Sequence, residues 1–102
     1  MNINDKVGYA KTFYTMGYAH MAAGEMEDAK RNFEEAVKKV EGCDMPALVA
    51  YYSYQYALAL IRMGEKEPAL RILKKSLHTY KLIKAEGYVL RIQKDIEDLS
   101  KS

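Results

Sequence analysis

Apolar and small residues recur along this chain at intervals of three and four, and the runs are separated by glycines. Phe13, Met16 and Gly17 lead to His20 in one stripe, and Ala29, Phe33, Ala36 and Val40 form the next. Such spacing puts side chains on one face of a helix with about 3.6 residues per turn, whereas a strand would need alternation. Gly24, Gly42 and Gly64 divide the runs, and Pro46 and Pro68 stand where new ones begin. Glycine suits the left-handed position just past a helix end. Proline is tolerated in a first turn, where its missing N–H has no intrahelical partner to lose. The pattern predicts helices over residues 5–23, 26–41, 45–63, 67–81 and 84–100. Links this short let the chain only turn back on itself, so the fold class is all-α, built from antiparallel helical hairpins.

The charged positions fit the same frame. Glu27 with Arg31, Glu34 with Lys38 and Glu35 with Lys39 are acid-then-base pairs four residues apart on the second predicted helix. Each contributes a few tenths of a kcal/mol on an exposed face, which marks that face as solvated. The chain has 102 residues, 49% of them hydrophobic and 29% charged, with a net charge of +2. A single globular domain over residues 1–102 follows, because a chain of this size buries about two thirds of its unfolded surface. Two prolines and six glycines argue against low complexity, and the apolar content is too high for disorder. One cysteine, Cys43, cannot form an internal bridge, and no charged-then-apolar leader precedes the first periodic segment. Both features predict a reducing, cytoplasmic setting. The apolar stretch 45–60 is interrupted by Ser53, Gln55 and several tyrosines, so no membrane partner is expected.

Two segments superpose at an offset of forty residues: FYTMGYAHMAAGEMEDAKRNFEEA from Phe13 and SYQYALALIRMGEKEPALRILKKS from Ser53. Gly17 then meets Ala57, Ala19 meets Ala59, Gly24 meets Gly64, Ala29 meets Ala69 and Phe33 meets Leu73. Small residues face small ones, which lets the two helices of each hairpin approach closely while Phe33 or Leu73 fills the space beyond.

This pattern resembles the tetratricopeptide repeat, in a long variant of about forty residues. Phe13, Met16, Gly17, Gly24, Ala29, Phe33 and Ala36 match its positions in the first unit, with His20 where the family usually has tyrosine. Tyr56, Ala57, Leu60, Gly64, Ala69 and Leu73 match in the second, where Ser53 and Ser76 depart from it. The resemblance implies repeats at about 10–43 and 50–82, stacked as a right-handed superhelix and closed by a capping helix at about 84–100. Such a cap needs one apolar and one polar face, which Tyr88, Ile92, Ile96 and Leu99 against Lys94, Glu97, Asp98 and Lys101 supply.

In this family the first helix of each hairpin lines a concave, partner-binding surface. The matching positions are Lys11, Tyr14, Tyr18 and Met21, then Tyr51, Tyr54, Leu58 and Ile61, with Gln55 and Arg62 beside them. Tyrosine combines broad apolar contact with a hydroxyl for a backbone carbonyl, which suits a peptide or helix of a partner protein. The alternative is that these rings only pack helix on helix. The carboxylate clamp of some family members is not expected, since Tyr14 and Tyr18 stand at its lysine and asparagine positions and Gln55 at its second asparagine.

A homo-oligomer formed by the open edge of so short a stack is the second expectation. Arg71, Lys74, Lys75 and Lys81 fall on roughly one side of a helix within the basic stretch 66–94. An acidic partner or a phosphate backbone docking there is the lesser alternative; without a helix-turn-helix or aromatic-interleaved signature the stretch reads first as a solvated face, and nucleic acid is not the expected partner. No cofactor, metal site or catalytic group is expected: His20 and His78 lack ligand spacing, and Cys43 reads as an exposed turn thiol with no histidine to activate it. The chain reads as a non-catalytic interaction module.

Overall fold

Residues 2–101 are described by a computed structural model. Among them lie five helices and no strand: α1 (Ile3–Ala22), α2 (Met26–Val40), α3 (Pro46–Arg62), α4 (Lys66–Leu82) and α5 (Glu86–Ser100). All helix ends fall within two residues of those the periodicity predicts. Asn2 caps α1, its side chain accepting from the Asp5 N–H at 3.0 Å, and Pro46 opens α3 as its first residue.

Three of the four turns share one construction. Gly24 (φ 80°), Gly64 (φ 78°) and Lys84 (φ 59°) each take the left-handed conformation. The N–H of the next residue reaches back to close the helix end, Glu25 to the His20 carbonyl at 2.8 Å, Glu65 to Leu60 at 2.9 Å and Ala85 to Tyr80 at 2.9 Å. This is the Schellman closure, which satisfies carbonyls that a helix end otherwise leaves without partners. The α2–α3 turn is built differently, with both Gly42 (φ 82°) and Asp44 (φ 54°) left-handed. Cys43, between them, is 7% exposed, and its Sγ donates to the Lys39 carbonyl at 3.5 Å. The expected exposed thiol is therefore folded under its own turn.

Antiparallel hairpins α1–α2 and α3–α4 are joined by packing of α2 on α3, and α5 packs on α4. In the first hairpin Gly17 sits against the ring of Phe33, so close that a Cβ there would lie 2.8 Å from two ring carbons. The second hairpin replaces the pair with Ala57 and Leu73, buried in one cluster. Ser76 is buried and donates to the Ala50 carbonyl at 3.3 Å, tying α4 to α3. α3 is the central element. Tyr52 packs with Ala10, Ala36 and Val40, and Ala59 with Ala29 and Phe33. Ala50, Tyr54 and Ala57 pack instead with Leu73, Tyr80 and Ile92. Two buried flanks explain why α3 lacks the clean polar face of α2.

On α2, Glu34 pairs with Lys38 at 3.5 Å as expected. Arg31 is drawn to Asp28 instead of Glu27, and Glu35 to Lys38 at 3.7 Å. No described helix is long and apolar enough to cross a membrane.

Candidate functional site

The backbones of α1, α3 and α5 are bridged by tyrosine rings. Tyr14 of α1 is the hub of the row: its ring lies 6.0 Å from Phe33, 5.6 Å from Tyr51 and 5.0 Å from Tyr52, centroid to centroid. Tyr51 continues the row to Tyr88 of α5 at 6.2 Å. Tyr88 meets Tyr54 edge-on at 6.5 Å and stacks on Tyr80 at 4.6 Å with nearly parallel planes. Arg91 lies over the Tyr88 ring at 5.5 Å, a cation–π placement. Tilted and edge-on contacts of this kind add about 0.5–1.5 kcal/mol each beyond the area they bury.

Polar ends of the row are mostly satisfied within the protein. The Tyr14 and Tyr51 hydroxyls share a hydrogen bond of 2.9 Å, and Tyr54 donates to Asp95 of α5 at 2.5 Å. Burial raises the Tyr14 phenol above the ordinary tyrosine range, and its bond to Tyr51 raises it further. Tyr54 is raised in the same way, by burial first and then by the Asp95 carboxylate. Outside the row, Tyr56 donates to Glu34 at 2.9 Å, and burial followed by that carboxylate pushes its phenol up to about 12.

The ten sequence-predicted lining residues divide into two groups. Lys11 and Tyr18 are exposed on α1, Tyr18 by 57%, with its ring 6.4 Å from Tyr14. Tyr14, Tyr51 and Gln55 are half-buried. Met21 is half-buried among the contacts of Phe33, and its carbonyl accepts from Arg62 at 3.4 Å. These residues leave a tyrosine-bearing face along α1 and α3. Tyr54, Leu58 and Ile61 are drawn away from it, because α5 packs over that part of α3. Tyr54 is only 3% exposed, and Leu58 and Ile61 border a depression of about 310 Å³ with Asp95, Asp98 and Leu99. Tyr54 is thus a core residue and not a lining one.

Tyr88 and Asp95 complete the arrangement, though neither is among the ten. Tyr88 has only its place on the apolar stripe of α5 to announce it. The partner of Asp95 lies 41 residues away, beyond any local pattern.

One other cluster is accounted for by the fold. His20, Glu25 and Asp28 bring a ring nitrogen and two carboxylates within 4.8 Å of one another. His20 Nδ1 lies 3.1 Å from Glu25 Oε1 across the α1–α2 turn, and Asp28 is paired with Arg31. The carboxylates also sit at the start of α2, where the helix dipole favours them. His20 is therefore a partly exposed residue of the last turn of α1, held by Glu25. Arg71, Lys74, Lys75 and Lys81 are exposed on α4.

No family model, curated protein or solved structure matches the chain.

Proposed function

We propose that this protein is a non-catalytic interaction module, built as a tetratricopeptide-like stack, that holds a peptide or helix of a partner protein against the tyrosine face of α1 and α3. The observation that carries the reading is Tyr18. A large aromatic ring 57% exposed beside the half-buried Tyr14–Tyr51 pair extends a packed row into solvent. Lys11, Gln55 and Arg62 supply a polar rim. Buried anchors surrounded by polar groups are the usual anatomy of a recognition surface. A cytosolic setting suits the same reading, because the buried Cys43 thiol has no bridging partner in the chain.

The test is peptide selection by display on the native chain, followed by affinity measurement with Tyr18→Ala. Selected peptides should lose at least about tenfold in affinity, while the helical content and melting temperature stay unchanged. Equal affinity for both forms would remove Tyr18 and this face from the function.

A second reading has its own support. Leu82 and Leu90, near the α4–α5 junction, are 70% and 68% exposed, as expected if this end of the stack meets a second copy. Light scattering over a range of concentrations separates the two, since a constant monomer mass removes self-association.

A further inference from the structure

The depression of about 310 Å³ between α3 and α5 is lined by Leu58, Ile61 and Leu99 together with Asp95 and Asp98. Its volume is at the small end of the roughly 300–1,000 Å³ of ligand pockets, which suits one long side chain better than a whole ligand. The repeat explains its place in the stack. Tyr18, Leu58 and Asp98 succeed one another at the forty-residue offset, and α3 and α5 begin at Pro46 and Glu86, the same distance apart. The three residues therefore hold equivalent positions on α1, α3 and α5, and the depression continues across the stack the row that begins with the exposed Tyr18 ring.

The lining divides by chemistry. Leu58, Ile61 and Leu99 are half-buried, so each keeps apolar surface open to the depression. Asp95 and Asp98 bring two carboxylates to the same space, Asp98 exposed and Asp95 half-buried. The hydrogen bond from Tyr54 holds the Asp95 carboxylate at the α3–α5 seam through one of its two oxygens. Two basic side chains of α5 are engaged elsewhere: Arg91 lies over the Tyr88 ring at 5.5 Å, and Lys101 pairs with Glu97 at 3.0 Å.

An apolar floor edged by two carboxylates is matched by a group with an aliphatic stem and a cationic head. A neutral apolar group would take water from the carboxylates without replacing it, and an anion would be repelled by both. Lysine and arginine have the required build, since they lay their stems along apolar surface while the charged head stays at the rim. We infer that the depression receives a lysine or arginine of the partner segment, its stem against Leu58, Ile61 and Leu99 and its charge at Asp95 and Asp98. The inference rests on the reading of the tyrosine face as a surface that holds a peptide or helix, and it adds what that segment carries.

The site is tested first without any peptide. Pentylammonium and pentanol share a stem and differ in the charge of the head. Titrated into the full chain at low ionic strength, both should move the methyl NMR signals of Leu58, Ile61 and Leu99, with the ammonium binding about three- to fivefold more tightly. Molar salt should remove most of that advantage. Asp98→Asn should reduce it and Asp98→Lys abolish it, and because Asp98 is exposed both variants should keep the native helical content. In peptides selected on the native chain, replacing a lysine or arginine by norleucine should cost a similar factor, and that cost should vanish in Asp98→Lys. The inference is overturned if the alcohol binds as tightly as the ammonium, if the advantage survives Asp98→Lys, or if norleucine serves the selected peptides equally well. Selected peptides indifferent to Tyr18→Ala, beside an intact preference for the ammonium, would instead remove the tyrosine face and leave the basic-side-chain site standing.

Discussion

At position 17 an added Cβ would lie 2.8 Å from Cδ1 and Cε1 of Phe33, a ring with no exposed surface and no room to retreat. Gly17→Ala should therefore destabilise the chain by about 1–3 kcal/mol through overpacking. The second hairpin shows how the crowding is relieved, since Ala57 there accompanies the smaller Leu73. Adding Phe33→Leu to Gly17→Ala should return part of the loss, a non-additive coupling that a double-mutant cycle in urea detects. If the two changes add independently, the close approach is not what fixes glycine at 17. Lys84 poses the opposite case. It holds the left-handed position that glycine holds at 24 and 64. A side chain there costs about 1–2 kcal/mol, partly offset because glycine gives the unfolded chain more freedom. Lys84→Gly should raise the urea midpoint by the equivalent of about 0.5 kcal/mol with an unchanged slope, and a lower midpoint would contradict the strain. Tyr56 governs a pH effect. Its folded pKa is raised to about 12 from an unfolded value of 10.0. The protonated phenol is thus favoured by folding, its contribution is complete below pH 10, and it is lost as pH rises toward 12. Tyr56→Phe should flatten the alkaline fall in stability across that window, and an identical fall would show that Tyr56 does not titrate there.

Among the elements, α5 packs on α4, and one of its polar contacts can be isolated. Tyr54 reaches it from α3 through a bond to the Asp95 carboxylate. Bonds to charged groups contribute about 1.5–3 kcal/mol. Asp95→Ala should cost about that much, and hydrogen exchange should quicken in α5 before α2 or α3. Uniform loss of protection in every helix would mean that α5 is not a separately opening unit. The same element shows where sequence reading stops. The helices, the Gly24 and Gly64 turns and the matched small residues are legible because each rests on chain-local geometry: a left-handed residue, a three-and-four stripe, a volume swap at a fixed offset. The third turn uses the same closure, but Lys84 carries no glycine to mark it. Burial of Cys43 depends on two left-handed residues flanking it, of which Asp44 carries no reliable signal. Tyr54 and Tyr18 look equivalent along their helices, and only the placement of α5 makes one a core residue and leaves the other in solvent.

Across the whole molecule each helix packs its backbone on its chain neighbours, as in a quasi-one-dimensional stack. Extents of 43 × 33 × 19 Å reflect that arrangement. Such stacks are cooperative only as far as their interfaces couple, and here coupling along α1, α3 and α5 rests on side chains, with Tyr51 in the middle. Its ring meets Tyr14 on one side and Tyr88 on the other, and its hydroxyl bonds that of Tyr14. Tyr51→Ala should cost about 2–3 kcal/mol, below the 3–5 of a fully buried ring because Tyr51 is half-buried. The more telling change is in cooperativity. The native chain should unfold in one urea transition whichever helix is probed, whereas Tyr51→Ala should give a shallower slope and separate midpoints for probes on α1–α2 and on α4–α5. Tyr18→Ala, which removes an exposed ring at the end of the row, should leave both slope and midpoint within about 0.5 kcal/mol of the native values. If Tyr51→Ala lowers the midpoint but keeps one transition at the native slope, the packing of α2 on α3 is sufficient to unite the hairpins. The half-buried Tyr51 ring would then not be what couples the helices.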